Sequence, residues 1–361
     1  MAFSLSKVFG IFGAGSNARP TSTVGIDIGS ASVKVVEIEE TEKALQLRTY
    51  GELQLGPYDG KALGEAVLLQ NQKRIEAVVD VMREAEVHTS HGALAMPLSS
   101  SFMTVVPVVL GADEDIENRI PVEARKYVPL PLTDVTLDWT ELPPIGQENE
   151  KIKEVMLAAI ENRALAEYQQ LLSGVRMTGE PAEIEAFSLV RALWKRSDTT
   201  LAIIDIGAST SKLYIVRGGM LERLHRVASG GALITKRLAE LLQISFEDAE
   251  NLKRASTQSD EHQREVYQAM VSAVEGPLLE FKRIINQYEA RIGSPIGRVA
   301  FSGGVAASAQ FLSYGRDTIG LPAEIGNPFD KVAYPAFMED TLSNIAPTFA
   351  VSFGAALRLF Q

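Results

Sequence analysis

One segment of this chain is written twice. Val24-Gly25-Ile26-Asp27-Ile28-Gly29-Ser30-Ala31-Ser32-Val33-Lys34 reads as an apolar strand, a tight Asp-x-Gly turn with small hydroxylated residues, and a second apolar strand. It recurs as Ile203-Ile204-Asp205-Ile206-Gly207-Ala208-Ser209-Thr210-Ser211-Lys212, with the Asp, Ile, Gly and Lys each displaced by 178 residues. Such a repeat inside a chain of 361 residues predicts two α/β halves of similar build.

The chemistry of the two turns points to a phosphate ligand. Gly29 and Gly207 let the backbone approach a polyphosphate, so that successive N–H groups face its oxygens. Ser30 and Ser32 in one turn, and Ser209 and Thr210 in the other, add hydroxyl donors. Asp27 and Asp205 would repel phosphate alone, but Mg2+, held directly or through its water shell, makes each a suitable neighbour. Lys34 adds positive charge. Lys212 holds the repeat position of Lys34 and is read as structural, one lysine being enough. A single Asp-x-Gly turn is what any β-hairpin uses; two copies in equivalent strand pairs are far more specific. A third glycine signal, Val299-Ala300-Phe301-Ser302-Gly303-Gly304-Val305, leads an apolar strand into a Gly-Gly turn and a helix-compatible run, which suits close passage past an adenine or ribose.

Composition narrows the rest. At 46% hydrophobic, the chain has enough apolar residues for two buried cores, which predicts a soluble globular protein. Its 35 basic and 46 acidic residues give a net charge of −11, which argues against a nucleic-acid partner. Without cysteine there are no disulfides, thiolate metal sites or cysteine nucleophile. His88 and His91 form the one close histidine pair and lack a third ligand. No run reaches the length of a membrane span, and the N-terminus lacks a signal-peptide pattern. Leu5, Val8, Phe9 and Phe12 could form a short apolar stripe ahead of a linker over 13–20.

Taken together, the motifs resemble the actin, heat-shock chaperone and sugar-kinase superfamily: Asp27 through Lys34 its first phosphate motif, Asp205 through Thr210 its second, and Ser302-Gly303-Gly304 its adenosine motif. Within it, the chain is similar to the PilM family, itself related to the cell-division protein FtsA. Ile120-Pro121-Val122-Glu123-Ala124-Arg125-Lys126-Tyr127-Val128-Pro129 carries the narrower likeness, with Gly230-Gly231, Thr235, Ala249 through Lys253, Asn327-Pro328-Phe329 and Ala346-Pro347. Val305 and Ser352 depart from the usual glycine and alanine, and the chain ends at Gln361 without the C-terminal membrane helix of FtsA.

The resemblance implies an actin-like (ribonuclease H-like) two-lobed ATPase fold with a small α+β insertion in the first lobe. Residues 1–20 would be an N-terminal segment and linker. Residues 21–103 and 176–197 would form the first lobe, with 345–361 returning to it, and 104–175 its insertion. Residues 198–230 and 292–344 would form the second lobe, with 231–291 its helical insertion. Coarse patterning places a helix at Gln72–Ala85 with Ile75, Val78, Val79 and Met82 on one face, others at Arg163–Ser173, Pro181–Lys195 and Phe349–Leu359, and a helix start after the acidic Asp113-Glu114-Asp115 cluster.

By the same resemblance, ATP and Mg2+ are the expected ligands, with Glu250 and Lys253 at the ribose and adenine. The expected role is a nucleotide-dependent scaffold of type IV pilus or related type II secretion-like assembly. It would be cytoplasmic, peripheral at the inner membrane, and would bind the N-terminal cytoplasmic peptide of a PilN-like protein within the inner-membrane assembly complex, with self-association left open. An FtsA-like division protein is the alternative. A sugar-kinase-type phosphotransferase is more distant, since no carboxylate is placed as base beside a transferred phosphoryl group. No residue is identifiable as positioning water for hydrolysis, so slow turnover at most is expected.

Overall fold

The computed structural model describes residues 20–111, 114–145, 152–179, 183–255, 262–308 and 310–360. The N-terminal stripe of Leu5, Val8, Phe9 and Phe12 lies outside them. The first lobe opens with three antiparallel strands, β1 (Ser22–Ile28), β2 (Ser32–Glu40) and β3 (Leu45–Gln54), followed by helix α1 (Asn71–Glu84) and strand β4 (His91–Met96), parallel to β1. The middle of β1, residues 23–26, is buried throughout, as for a strand covered on both faces. On α1 the inward face is Ala77, Val78 and Val81, with Ile75 and Met82 partly buried; Val79, expected there, is 42% exposed. One residue beyond Val78 lies a 100° turn further round the helix, and the smaller Ala77 makes the contact instead.

The insertion comprises β5 (Ser101–Val109), α2 (Ile116–Ala124), β6 (Val135–Glu141) and β7 (Ile152–Glu161), in the sheet order β5-β7-β6. Val106, Val108, Val155 and Leu157 pack on Ile120 and Ala124 of α2. The opposite sheet face sends Met156, Ala158 and Ile160 into the main core. Asp115 caps α2 by accepting the Glu117 N–H at 3.0 Å, which gives part of the acidic cluster a structural role. Helix α3 (Asn162–Gly174), expected to belong to the insertion, sets Tyr168 and Leu171 in the first-lobe core.

Short strands β8 (Thr178–Gly179) and β9 (Glu183–Ile184) pair with β4 before helix α4 (Glu185–Leu193). This helix is shorter than the expected 181–195, because Glu183–Ile184 is extended and Trp194 leaves the helical conformation.

The second lobe repeats the first. β10 (Thr200–Ile206) has the length of β1 and the same 178-residue displacement. It pairs antiparallel with β11 (Ser211–Arg217) and parallel with β13 (Arg298–Ser302), as β1 does with β2 and β4. β12 (Met220–Val227) and β14 (Ala323–Ile325) complete the order β12-β11-β10-β13-β14. Helices α5 (Gly231–Leu242), α6 (Phe246–Ala255), α7 (Gln263–Ile292) and α8 (Phe311–Ile319) cover its outer face around Ile234, Leu238, Val274 and Phe281.

Helix α9 (Glu339–Leu357) returns to the first lobe. It begins ten residues before the expected Phe349, and Pro347 lies inside it rather than at its boundary. Gly25 permits its close approach to β1, since a Cβ there would stand 1.9 Å from the Ser352 carbonyl oxygen. Lys331 donates to the carbonyls of Arg191 at 2.6 Å and Trp194 at 2.8 Å, so the two places where the chain crosses between lobes are tied together. Burial pushes the Lys331 pKa down to about 8. No helix among the described residues is long and apolar enough to cross a membrane.

Candidate functional site

The two repeated turns face each other. Gly29 N–H donates to the Ser32 carbonyl at 2.9 Å, and Gly207 N–H donates to the Thr210 carbonyl at 3.0 Å, so both loops close by the same bond. Across the cleft the Ser209 hydroxyl donates to the Ser30 hydroxyl at 2.8 Å. The N-terminus of α5 rests on the second loop, where the N–H groups of Gly231 and Ala232 donate to the carbonyls of Gly207 and Ala208, each at 2.9 Å.

Beneath the loops lies a charged floor. Asp27 sits opposite Lys34 in the β1–β2 register, and Asp205 opposite Lys212 in the β10–β11 register. Among the described residues no hydrogen bond reaches the Asp27 carboxylate, and burial pushes its pKa up to about 6 against the pull of Lys34. Lys34 donates to the Ser32 hydroxyl at 2.6 Å and pairs with Glu52 at 3.4 Å. Burial works against the Glu52 charge, but Lys34 and Ser32 hold its pKa below the ordinary value.

Glu185 was not singled out in the sequence, and Lys212, read there as structural, is buried beside it. Glu185, the first residue of α4, accepts the Leu98 N–H at 2.8 Å through one oxygen and the Lys212 ammonium at 2.9 Å through the other. Lys212 also lies 3.5 Å from Asp205. Burial raises the Asp205 pKa despite Lys212; it also opposes the Lys212 charge, yet Glu185 lifts the pKa of that ammonium well above the usual lysine value. Lys212 therefore belongs to the floor of the cleft as well as to the framework. A partial signal for Glu185 was present: a carboxylate heading a mainly apolar helix, with Ser188 and Arg191 its other polar residues, is a candidate for burial, and a buried carboxylate needs a cation, although the pattern does not say which.

The third motif is placed less simply. Gly303 has φ +88°, and a Cβ there would come within 2.3 Å of the Ile206 carbonyl oxygen, so only glycine turns at this point. Its N–H donates to the Pro347 carbonyl at 2.8 Å, and the buried Ser302 hydroxyl donates to the same oxygen at 3.0 Å. Gly304 is exposed. The expected helix start does not follow directly: residues 304–308 run through turns, and α8 begins only at Phe311.

Glu250 and Lys253 do pair, but in the interior. The Glu250 carboxylate, 2% exposed, accepts from the Thr235 hydroxyl at 2.6 Å, from Lys253 at 2.5 Å and from Arg254 at 2.8 Å. Burial works against the Glu250 charge, but Lys253 holds its pKa below the ordinary value. Gly64 of the first lobe lies directly against this carboxylate, so the lobes meet here as well as at Ser30 and Ser209.

The residues suit Mg2+ on one side better than the other. No group of three acidic or histidine ligands occurs among the described residues. Mg2+ needs no such cage, since it is commonly bound by one or two carboxylates together with substrate phosphates and water. Asp27 is unpartnered and fits that role, whereas Asp205 is already matched to Lys212.

The profile of the family described as type IV pilus assembly protein PilM matches residues 25–360. The cell division protein FtsA of Enterococcus faecalis is 23% identical over 275 residues, which is 65% of this chain and 58% of that protein. The solved PilM–PilN type IV pilus biogenesis complex superposes with a TM-score of 0.78 at 23% identity, covering 95% of this chain and 100% of the other. A structure of MreB5 from Spiroplasma citri bound to ADP gives 0.51 at 12% identity, covering 93% and 95%. The two-lobed molecule has the actin-like fold.

Proposed function

The chain belongs to the PilM family of type IV pilus assembly proteins, and from that premise we propose that it is a nucleotide-binding scaffold of pilus assembly. The observation that carries the nucleotide reading is the meeting of two equivalent glycine loops at Ser30 and Ser209 over a floor of Asp27, Lys34, Asp205 and Lys212. ATP would lie with its phosphates between the loops that Gly29 and Gly207 close, taking hydroxyls at Ser30, Ser32, Ser209 and Thr210. Mg2+ would accompany it on the Asp27 side through its water shell. The Gly303-Gly304 turn would flank the adenosine, with Glu250 and Lys253 shaping the ribose side through their mutual pair.

Holding nucleotide is favoured over consuming it. Both oxygens of Glu185 are engaged, by Leu98 and Lys212, so this carboxylate is not free to accept a proton from water. FtsA shares the fold and remains the second reading.

The proposed partner is the N-terminal cytoplasmic peptide of a PilN-like protein, seated between the first lobe and the insertion. In support, the insertion leaves Val109, Val122, Tyr127, Leu130 and Ile152 substantially exposed, and its strand β5 pairs on one side only, with β7. An extended peptide can add to such an edge and lay apolar anchors beside it. The protein would then sit at the cytoplasmic face of the inner membrane by attachment to that partner, and salt or carbonate should extract it.

Calorimetry tests the whole reading. Mg-ATP should bind the isolated protein, and the PilN-like peptide should bind with an affinity that depends on nucleotide. No heat with Mg-ATP refutes the nucleotide site, and no binding of the peptide refutes the groove.

A further inference from the structure

The following rests on the nucleotide reading of the cleft. We propose that Lys212 is the resident cation of the second phosphate loop, and that it confines any divalent ion arriving with the nucleotide to the Asp27 side. The ammonium lies 2.9 Å from Glu185 and 3.5 Å from Asp205, with only 11% of its side chain exposed. It therefore stands where a metal ion shared by these two carboxylates would have to stand.

The repeat makes the asymmetry plain. Lys34 and Lys212 hold equivalent positions opposite Asp27 and Asp205. Lys34 turns to Ser32 and Glu52 and leaves Asp27 without a bonded partner, while Lys212 bonds Glu185 and approaches Asp205. The carboxylate beside Lys34 is Glu52, at 3.4 Å on the neighbouring strand β3.

Two cations cannot share the same carboxylate pair without displacing one another. A divalent ion at Asp205 would have to expel a buried ammonium whose charge both carboxylates stabilise, and the ion would then face that charge at close range. With Lys212 in place, the floor carries Asp27, Asp205 and Glu185 against two lysines. Without it, Asp205 and Glu185 flank an emptied cation position, an arrangement that attracts a divalent ion even when no nucleotide is bound. Lys212 thus selects against metal alone and makes the nucleotide phosphates a necessary part of any metal site.

The test is a Mn2+ titration of the nucleotide-free protein, read by the paramagnetic resonance signal of free Mn2+, for the wild type and for Lys212→Met. Wild type should leave Mn2+ free, and Lys212→Met should bind it at least ~10-fold more tightly, as expected for a carboxylate pair that has lost its cation. In a second arm, the ratio of ATP affinity with Mg2+ to that in chelator should grow at least ~10-fold in the variant. Wild type binding Mn2+ as tightly as Lys212→Met, or an unchanged ratio, overturns the proposal. If Lys212→Met does not fold, tight Mn2+ binding by the wild type alone still overturns it, and Lys212→Gln repeats the comparison. If ATP binds neither protein, the nucleotide reading fails while the Mn2+ arm still decides where Lys212 stands.

Discussion

The Ser209 hydroxyl donates to the Ser30 hydroxyl across 2.8 Å, joining two loops that are 179 residues apart in the chain and related by an internal repeat. A neutral hydroxyl pair of this kind contributes only about 1 kcal/mol to folding. Each of the same hydroxyls bonded to a charged phosphate is worth about 1.5–3 kcal/mol. The double variant Ser30→Ala, Ser209→Ala should therefore melt within ~3 °C of wild type, yet lose at least ~10-fold in ATP affinity. Equal affinity by calorimetry would place the phosphates elsewhere.

Asp27 carries the cost of its position in its titration. Burial raises its pKa from 3.8 to about 6, so the folded state holds this proton more tightly than the unfolded chain. The associated stability is fully present below pH 4 and is lost as pH rises through 6, up to about 2–3 kcal/mol in all. Asp27→Asn should accordingly melt higher than wild type at pH 7.5, with the gap closing toward pH 4, while Mg-ATP affinity falls at least ~10-fold through loss of a carboxylate facing the metal. Paired thermal melts across this range, with calorimetry at neutral pH, check both halves. A variant that melts lower at pH 7.5 contradicts the electrostatic account.

Asp138 provides a control away from the cleft. It is buried in the insertion with one oxygen unpartnered and the other accepting the Trp139 N–H at 2.8 Å. Burial raises its pKa to about 6 against that bond, so its sign is the same as for Asp27: stability is lost as pH rises between 4 and 6. Asp138→Asn should raise the melting temperature at pH 7.5 and leave ATP affinity within ~2-fold, since no part of the nucleotide reading touches it. A lower melting temperature would mean that the ionised carboxylate stabilises the insertion instead of straining it.

Legibility followed the reach of each interaction. The strand pairs at Asp27 and Asp205 were readable because a hairpin is local and its glycine turn has few solutions. The constant offset of 178 residues between the two turns is by itself enough to make the lobes equivalent. Glu185 escaped because its role is set by Leu98 and Lys212, respectively 87 and 27 residues away, and no local pattern records such a pairing. The helix expected from Phe349 begins ten residues earlier and contains Pro347, whose carbonyl is held by Gly303 and Ser302, contacts that no local pattern records. Glu250 and Lys253, expected at the ribose and adenine by resemblance, pair with each other at i, i+3 spacing, and that spacing cannot reveal that Thr235 and Gly64 close over them.

The insertion is rooted in the first lobe but fastened to the second, and this bears on how a partner could sense nucleotide. Arg217 of β11 donates to the Pro143 carbonyl at 2.6 Å, while Glu222, paired with it at 2.7 Å, anchors it within the second lobe. Arg291 near the end of α7 pairs with Glu154 of β7. Opening the cleft separates the lobes, so it must either break both links or carry the insertion with the second lobe. A peptide seated between insertion and first lobe would then favour one arrangement, and its affinity would change with nucleotide by no more than that preference. An exposed ion pair such as Arg291–Glu154 is worth at most about 1 kcal/mol, which limits the effect of cutting that link to roughly 5-fold, and a hydrogen bond from a charged donor such as Arg217 is worth about 1.5–3 kcal/mol. In the double variant Arg217→Ala, Arg291→Ala, a fluorescent ATP analogue should dissociate several-fold faster by stopped flow, and the PilN-like peptide should bind equally with and without Mg-ATP. Unchanged dissociation together with undiminished nucleotide dependence of peptide binding would show that the lobes communicate by another route, through α4 and α9.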